Sequence, residues 1–362
     1  MTRKFKVGIA GCGAGRTHLL EGYKPNSDLF DVVALCDLDQ QRLSSVAEEF
    51  GIPTTTSNFD DLLDLDVDII DICTPPALHE RQILLALAAD KNVICEKPLV
   101  GSLRALDVVA EAQSKSKGRV MPVFQYRYGN GVGKARAVIQ TGIAGRLYAG
   151  SVETYWNRGS AYYQSPWRGR WDTELGGVLV GHAIHAHDLL TSLVGPVTKV
   201  FGRVATRVNS VEVDDCASAS LEMADGGLVS LSATLGATDQ ITRLRLAFEN
   251  LTIESDTAPY RPGEADWKIV GRTPDVERSI AQALEKWIFE PSRHTTQMRL
   301  LHHALVTGDR LPATLDDARR ALELVTAIYM SSDSGCQVHL PLSSDLSHYS
   351  NWVPVSLSRV TT

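Results

Sequence analysis

The chain has 362 residues, and at about 150 residues per domain this suggests two domains. Hydrophobic residues make up 44% and charged residues 22%, the balance of an ordinary globular protein, which excludes a disordered, collagen-like or low-complexity chain. The formal net charge of −7 argues against a nucleic-acid surface, which needs a basic excess.

No apolar run approaches the ~20 residues of a membrane span; the longest is Ile83 to Ala89. The apolar stretch behind Arg3, Lys4 and Lys6 is too short for a signal-peptide core. Six cysteines without a CxxC pair offer neither a zinc nor a disulfide framework. A reduced, cytoplasmic protein is expected, with no membrane and no nucleic-acid partner.

The first 125 residues alternate short apolar runs with helical patterns. Strands are predicted at 5–10, 32–36, 69–73, 93–95 and 120–124, with helices at 40–50, 77–89 and 102–117. Gly51 and Gly118 stand where helices stop. Such alternation implies a doubly wound parallel sheet with helices on both faces. Beyond residue 125 the period shortens to two over 147–156, 197–208, 216–223, 228–237 and 243–248, the mark of an antiparallel sheet. Helices are predicted at 177–194 and 316–332, with a last strand at 337–340. The expected organisation is therefore a Rossmann-type α/β domain over 1–125 and an α+β domain over 126–362. The second carries a large open, predominantly antiparallel sheet, whose open face invites a cover such as another subunit.

The first strand runs into Gly11-Cys12-Gly13-Ala14-Gly15-Arg16-Thr17-His18. Glycines there let the backbone turn tightly and approach a pyrophosphate at a helix N-terminus. The spacing departs from GxGxxG, because Arg16 stands in the third glycine's place. Context outweighs an ordinary turn: the cluster sits between strand and helix, and Asp37 closes the next strand. An acid there binds the ribose 2′-hydroxyl of NAD and repels the 2′-phosphate of NADP. Leu38-Asp39 brings no arginine to that loop, so NAD is the expected cofactor. Gly11, Gly13, Ala14, Gly15, Asp37 and Arg42 are the candidate residues on this side.

Ligands of a doubly wound sheet sit beyond the strands' carboxyl ends. That selects Thr74-Pro75-Pro76, Glu96-Lys97-Pro98 and Gln125. Lys97, beside a cofactor, could move protons once desolvated, or could simply bind phosphate. A second cluster is Gly176-Gly177-Val178-Leu179-Val180-Gly181-His182-Ala183-Ile184-His185-Ala186-His187-Asp188. On a helix His182, His185 and Asp188 recur every three residues and share a face, while His187 points away. They could form a metal site or a general acid/base group. His18, His79, His294, His302 and His303 stand apart, and each alone reads as structural, surface or cofactor-contacting.

With these motifs in view, the chain resembles the glucose-fructose oxidoreductase / inositol dehydrogenase / MocA family of sugar and cyclitol dehydrogenases. The resemblance rests on GCGAGRTH at 11–18, CD at 36–37, TPPALH at 74–79, EKP at 96–98, WRGRW at 167–171 and the segment 176–188. A C-terminal helix, ARRALELVTAIYMSS, completes it. It implies an NAD-dependent dehydrogenase of a sugar or polyol, with Lys97 and His185 as the catalytic pair and no metal. Thr74, Pro75, His79, Glu96, Lys97 and Gln125 would line the cofactor site, and Arg168 would reach into the active site from the second domain. Tyr155, Trp156, Asn157, Trp167 and Arg168 suggest a polar pocket with aromatic walls, with Tyr155, Arg168, His182 and His185 touching substrate. A homodimer or homotetramer through the C-terminal sheet is implied as well.

The glycine loop is one residue shorter than the family's. Gly181 also stands where the family often has Asp, and His182 is expected to take over part of that acid's work. Two other readings are an NAD-using glycosidase of the same fold and a catalytically inactive NAD-binding regulator. Retention of Lys97 and His185 argues against the second.

Overall fold

A computed structural model describes residues 3–354. They fall into two compact units: one holds the chain up to Val123 together with His294–Arg319, the other Phe124–Arg293 and the chain from Arg320 onward.

In the first unit the chain runs through β1 (Phe5–Ala10), α1 (Cys12–Thr17), β2 (Phe30–Cys36), α2 (Gln40–Phe50), β3 (Thr54–Thr56), α3 (Phe59–Asp64), β4 (Ile69–Ile72), α4 (His79–Ala88), β5 (Asn92–Cys95), α5 (Leu103–Lys115) and β6 (Val120–Pro122). The strands form one parallel sheet in the order β3-β2-β1-β4-β5-β6. Strand order reverses between β1 and β4, so the crevice for a ligand opens at their carboxyl ends. Caps set the helix starts: Asp39 accepts the Arg42 N–H at 3.0 Å, and Ser102 accepts the Ala105 N–H at 3.0 Å. Gly51, at φ 66°, ends α2 in the left-handed region. Strand β3 and helix α3 were not foreseen. A three-threonine edge strand lacks the apolar run that marks buried neighbours.

The second unit contains α6 (Asn130–Gln140), β7 (Leu147–Asn157), α7 (Ile184–Val194), β8 (Val197–Ala205), β9 (Cys216–Met223), β10 (Leu228–Thr234), β11 (Gly236–Phe248), β12 (Leu251–Glu254), β13 (Lys268–Gly271) and α8 (Pro274–Leu284). After α9 (Arg293–Thr307) come α10 (Leu315–Ser334) and β14 (Val338–His339). Its eight strands run β13-β12-β11-β7-β10-β9-β8-β14, antiparallel throughout except for the β7–β10 pair. One face alternates inward with Val152, Leu221, Leu231, Leu244 and Ile253. Helix α10 packs on β8, where the hydroxyls of Ser331 and Ser332 accept the N–H groups of Gly202 and Val204. The other face stays exposed and carries Phe201, Ser220, Leu228 and Ser230.

The expected division at residue 125 therefore needs one correction. His294–Arg319 was assigned to the second domain but belongs to the first unit. Its helix α9 buries His294, Thr296, Gln297 and His302 beside Met298 and Leu301. Two of these polar groups are met by backbone, as Gln297 donates to the Pro122 carbonyl at 2.9 Å and His302 Nε2 lies 2.7 Å from the Arg3 carbonyl, while His294 Nδ1 lies 3.3 Å from Glu21. A helix that buries amides and imidazoles shows no apolar stripe, so its destination was hidden.

Gly11 joins β1 to α1 at φ 94°, and a Cβ there would lie 2.5 Å from the Cys73 carbonyl oxygen at the end of β4. Gly51 has a similar φ but open space around it. Gly11→Ala should lower the unfolding free energy by roughly 2–4 kcal/mol and Gly51→Ala by only about 1. Denaturant midpoints measure the difference; equal losses would mean that the close approach of β1 and β4 costs nothing to disturb.

Candidate functional site

The glycine loop is fixed from two sides. Asp37, at the end of β2, accepts the Cys12 N–H at 2.7 Å on one oxygen and the Asp39 N–H at 2.9 Å on the other. Gly15 takes the place expected of a third glycine, because a Cβ there would meet Ile9 Cγ2 at 2.8 Å. Gly13 and Ala14 are exposed in the first turn of α1, which has no acidic residue and no side-chain cap. A Cβ on Gly13 would meet nothing within 4 Å. Exposed amides, room over Gly13 and a carboxylate at the next strand end suit a dinucleotide's pyrophosphate and ribose. Arg42 is closer to this corner than the loop sequence implied: its guanidinium lies 3.6 Å from Asp37 and 3.1 Å from Asp39.

Helix α1 continues into a π-helical turn, His18–Tyr23, which carries His18 into the interior. Its Nδ1 lies 2.8 Å from Asp71 and its Nε2 3.1 Å from Glu96, while the Tyr23 hydroxyl donates to Asp71 at 2.7 Å. Burial works against charge on this ring, but the Asp71 carboxylate, with Cys73 beside it, prevails and holds the pKa well above its ordinary value. The other oxygen of Glu96 accepts the Lys97 N–H at 3.1 Å. A chain of polar contacts thus runs from Tyr23 through Asp71, His18 and Glu96 to the backbone of Lys97. The His294 ring lies 4.7 Å from that of His18, so two histidines read as isolated in sequence are neighbours. Among the described residues, His18–Glu96–His294 and His18–Asp71–Cys73 are the groups whose donor atoms could converge on an ion.

His79 was expected to line the cofactor site and is instead fully buried. Its ring nitrogens lie 2.8 Å from the Pro98 carbonyl and 2.9 Å from that of Thr74, so it ties together the loops after β4 and β5. Burial lowers its pKa, and a neutral ring donates to one of these carbonyls at a time. The Thr74 hydroxyl donates to Gln82 at 2.6 Å. Pro75 and Lys97 are partly exposed on the same two loops.

In the second unit the histidine segment starts against Asp214, which is wholly buried. This carboxylate accepts the N–H groups of Gly177 at 2.9 Å and Leu179 at 3.1 Å and the Tyr329 hydroxyl at 2.7 Å. A Cβ on Gly177 would sit 1.6 Å from the Asp214 carbonyl oxygen, so only glycine fits. The segment opens with a π-helical turn, Leu179–Ala183, before α7.

The expected common face of His182, His185 and Asp188 is accordingly divided among different partners. The His182 ring centre lies 5.4 Å from that of Trp156, edge to face, and 5.5 Å from that of the tilted Tyr162 ring, and His185 stacks on Tyr126 at 4.8 Å. Asp188 forms a buried two-point ion pair with Arg127 at 2.7 and 2.5 Å, so its charge is already matched. His187 is buried, and neither ring nitrogen has a hydrogen-bond partner among the described residues.

Around His182 lie stacked rings and guanidinium groups. Arg168 sits 3.9 Å from the Tyr162 ring and 4.1 Å from that of Trp167, and pairs with the buried Glu174 at 2.9 Å. Arg158 lies over Trp156, Tyr162 and Tyr260. Flat aromatic faces with fixed polar tips suit a ligand that is apolar on its ring faces and hydroxylated at its edge. Tyr155 needs correcting. Strand alternation turns it to the open sheet face, where its hydroxyl meets Ser232 at 2.8 Å. Its neighbour Trp156 is the residue that faces His182. Gln125 is buried, with no partner for its amide oxygen among the described residues. Sequence reasoning also missed Tyr126, Arg127, Glu174 and Asp214, which carry no motif of their own.

Comparison with known proteins fits this geometry. Residues 5–124 match a family described as "Oxidoreductase family, NAD-binding Rossmann fold", and residues 132–254 match the GFO/IDH/MocA C-terminal domain. The chain is 28% identical over 213 residues to the uncharacterized oxidoreductase YrbE of Bacillus subtilis, covering 58% of this chain and 60% of that protein. It is 27% identical over 268 residues to levoglucosan dehydrogenase of Pseudarthrobacter phenanthrenivorans, covering 65% and 68%. The WlbA dehydrogenase of Bordetella pertussis, solved with NADH and UDP-GlcNAcA, superposes with a TM-score of 0.82 at 26% identity, over 94% of this chain and 100% of that one. No helix among the described residues is long and apolar enough to cross a membrane.

Burial lowers the pKa of His187 from 6.5 to about 3. Below about pH 6.5 the unfolded chain takes up a proton that the folded ring refuses. Stability present above that pH is therefore lost progressively down to pH 3, by about 1.4 kcal/mol per unit. His187→Leu should show a shallower fall by that slope in urea melts across this window. Parallel curves for variant and wild type would place the proton uptake elsewhere.

Proposed function

Since this chain belongs to the Gfo/Idh/MocA family of oxidoreductases, we propose that it is an NAD-dependent dehydrogenase that oxidises a secondary or anomeric hydroxyl of a sugar or polyol. The carrying observation is His185, stacked on Tyr126 in a segment whose neighbouring turn is walled by Trp156, Tyr162 and Arg168. NAD, when bound, supplies the hydride acceptor. His185 takes the hydroxyl proton as general base, and Lys97 contacts substrate and nicotinamide and shares in that proton transfer. His182 exchanges hydrogen bonds with a substrate hydroxyl, since a neutral imidazole can donate or accept. The sugar-binding names of levoglucosan dehydrogenase and of WlbA with its UDP-sugar support this substrate class. Incubating the purified protein with NAD and a panel of aldoses, pentoses, branched sugars and cyclitols tests it. Net NADH is expected with at least one, and cleavage of an aryl glycoside included in the same panel, without net NADH, would overturn it. The open sheet face is the surface through which two or four subunits pair, in the cytoplasm, and light scattering after gel filtration reads the stoichiometry.

The preference is for NAD over NADP, through Asp37. Arg42 is held by Asp37 and Asp39, so removing the first carboxylate releases a guanidinium as well as a repulsion. Asp37→Ser should shift the ratio of kcat/KM values toward NADP by about tenfold or more, as a charge-assisted hydrogen bond of roughly 1.5–3 kcal/mol implies. Equal wild-type kcat/KM for the two cofactors would remove Asp37 from this role.

His185→Ala should lower kcat by about 10²–10⁴-fold with NAD affinity intact, the usual cost of a general base. Lys97→Ala should also cripple kcat, and the double variant should lose less than the product of the two, because the groups act in one step. His182→Ala should raise the sugar KM severalfold, and EDTA should change nothing. Near-normal turnover in His185→Ala sinks the mechanism, and inactivation by EDTA would point to a metal.

A further inference from the structure

Position 181 is a glycine in the π-helical turn that carries His182. A Cβ built there meets one foreign heavy atom within 4 Å, Glu174 Oε1 at 3.7 Å. Glu174 comes from the loop before the turn and is only 3% exposed. Nothing in its sequence position marks it, yet it sits at the centre of the arrangement around His182. Its Oε1 accepts from Arg168 at 2.9 Å and from the Tyr162 hydroxyl at 3.4 Å, and its Oε2 accepts the Gly169 N–H at 2.5 Å. Arg168 and Tyr162 also meet each other, and the Tyr162 ring lies against His182.

We propose that Glu174 is the acidic positioning residue of the sugar site: it delivers, from the preceding loop, a carboxylate to the space that Gly181 leaves open, and there fixes Arg168 and Tyr162 as the groups that bind substrate hydroxyls. This rests on the reading of the His182–His185 segment as the sugar site. A buried carboxylate accepts several donors at once and so holds both side chains in one geometry. Glycine at 181 and glutamate at 174 are then complementary. A second carboxylate at 181 would face the first across a few ångströms, where like charges cannot both ionise cheaply. His182, which brings no negative charge, works beside Glu174 rather than in its place.

The test is a carboxylate exchange in the full-length protein, with sugar kinetics, NAD affinity and melting temperature measured for each variant. Glu174→Gln keeps the shape and one acceptor for Gly169, so it should fold, with NAD affinity unchanged and the sugar KM raised about tenfold. Gly181→Ala should behave as wild type, because its uncharged Cβ would make only an ordinary van der Waals contact with Glu174. Gly181→Asp should lose activity through its charge. Combining Glu174→Gln with Gly181→Asp should restore most of the kcat/KM that each alone loses. A wild-type sugar KM in Glu174→Gln overturns the proposal, as does a folded double variant no better than Glu174→Gln. Should Glu174→Gln fail to fold, the Gly181 pair still decides, since equal activity of Gly181→Asp and Gly181→Ala also overturns it. The underlying reading fails separately: a fully active His185→Ala removes the sugar site itself, whereas an inactive one beside normal Glu174→Gln kinetics removes only Glu174.

Discussion

The first unit depends on a charge kept out of water. His18 is buried between Asp71 and Glu96, with Tyr23 completing the hydrogen bonds of Asp71. An imidazolium between two carboxylates is tolerable in an interior only because each charge meets a partner at hydrogen-bond distance. Its geometry then dictates much else. Asp71 belongs to the central strand beside β1, His18 to the helix leaving the glycine loop, and Glu96 to the loop that ends in Lys97. One ring therefore ties together three chain segments that converge at the carboxyl ends of the parallel strands. His79 does similar work a few residues away through backbone carbonyls alone. Neither histidine needs to touch a ligand to determine where the ligand-facing loops lie.

The second unit meets the same problem in another way. The segment from Gly177 to Asp188 is buried except at Gly181, and it includes three histidines and an aspartate. Its polar groups are managed one at a time: Asp214 receives the N–H groups at its start, Arg127 neutralises Asp188, and aromatic rings cover His182 and His185. His187 is held neutral by burial, with no hydrogen bond to its ring among the described residues. Rigid surroundings of this kind fix a side chain by what packs against it, and so suit a group whose protonation must be used.

Much of this was legible in the residues. Period and glycine placement indicated both sheets, and the strand-end rule picked out Asp37, Glu96 and Lys97 without any template. What escaped had a common cause, that contacts distant in sequence leave no local pattern. Tyr155 and Trp156 differ by one residue and face opposite sides of a strand, so composition favoured both while alternation admits one to the histidine side. Arg42 reaches back across a helix turn to Asp37, which a reading of the loop alone did not include. The π-helical turns before α7 and after α1 also shift side chains away from the angles that a regular helix assigns. For that reason the three-residue spacing of His182, His185 and Asp188 overstated how far they share one environment.

The return of α9 to the first unit bears on how the protein is made. Strands β1 to β6 emerge early from the ribosome, yet the helix that supplies His294 beside His18, and the amide that caps the Pro122 carbonyl, lies beyond strands β7 to β13 of the second sheet. The nucleotide-binding half is thus discontinuous in the chain, and its last layer is a contact of very high sequence separation. Loop-closure entropy makes such contacts slow to form. The early-synthesised sheet must therefore wait, partly uncovered, until translation has passed residue 319, and the second unit, which takes in the chain from Arg320 onward, is completed later still.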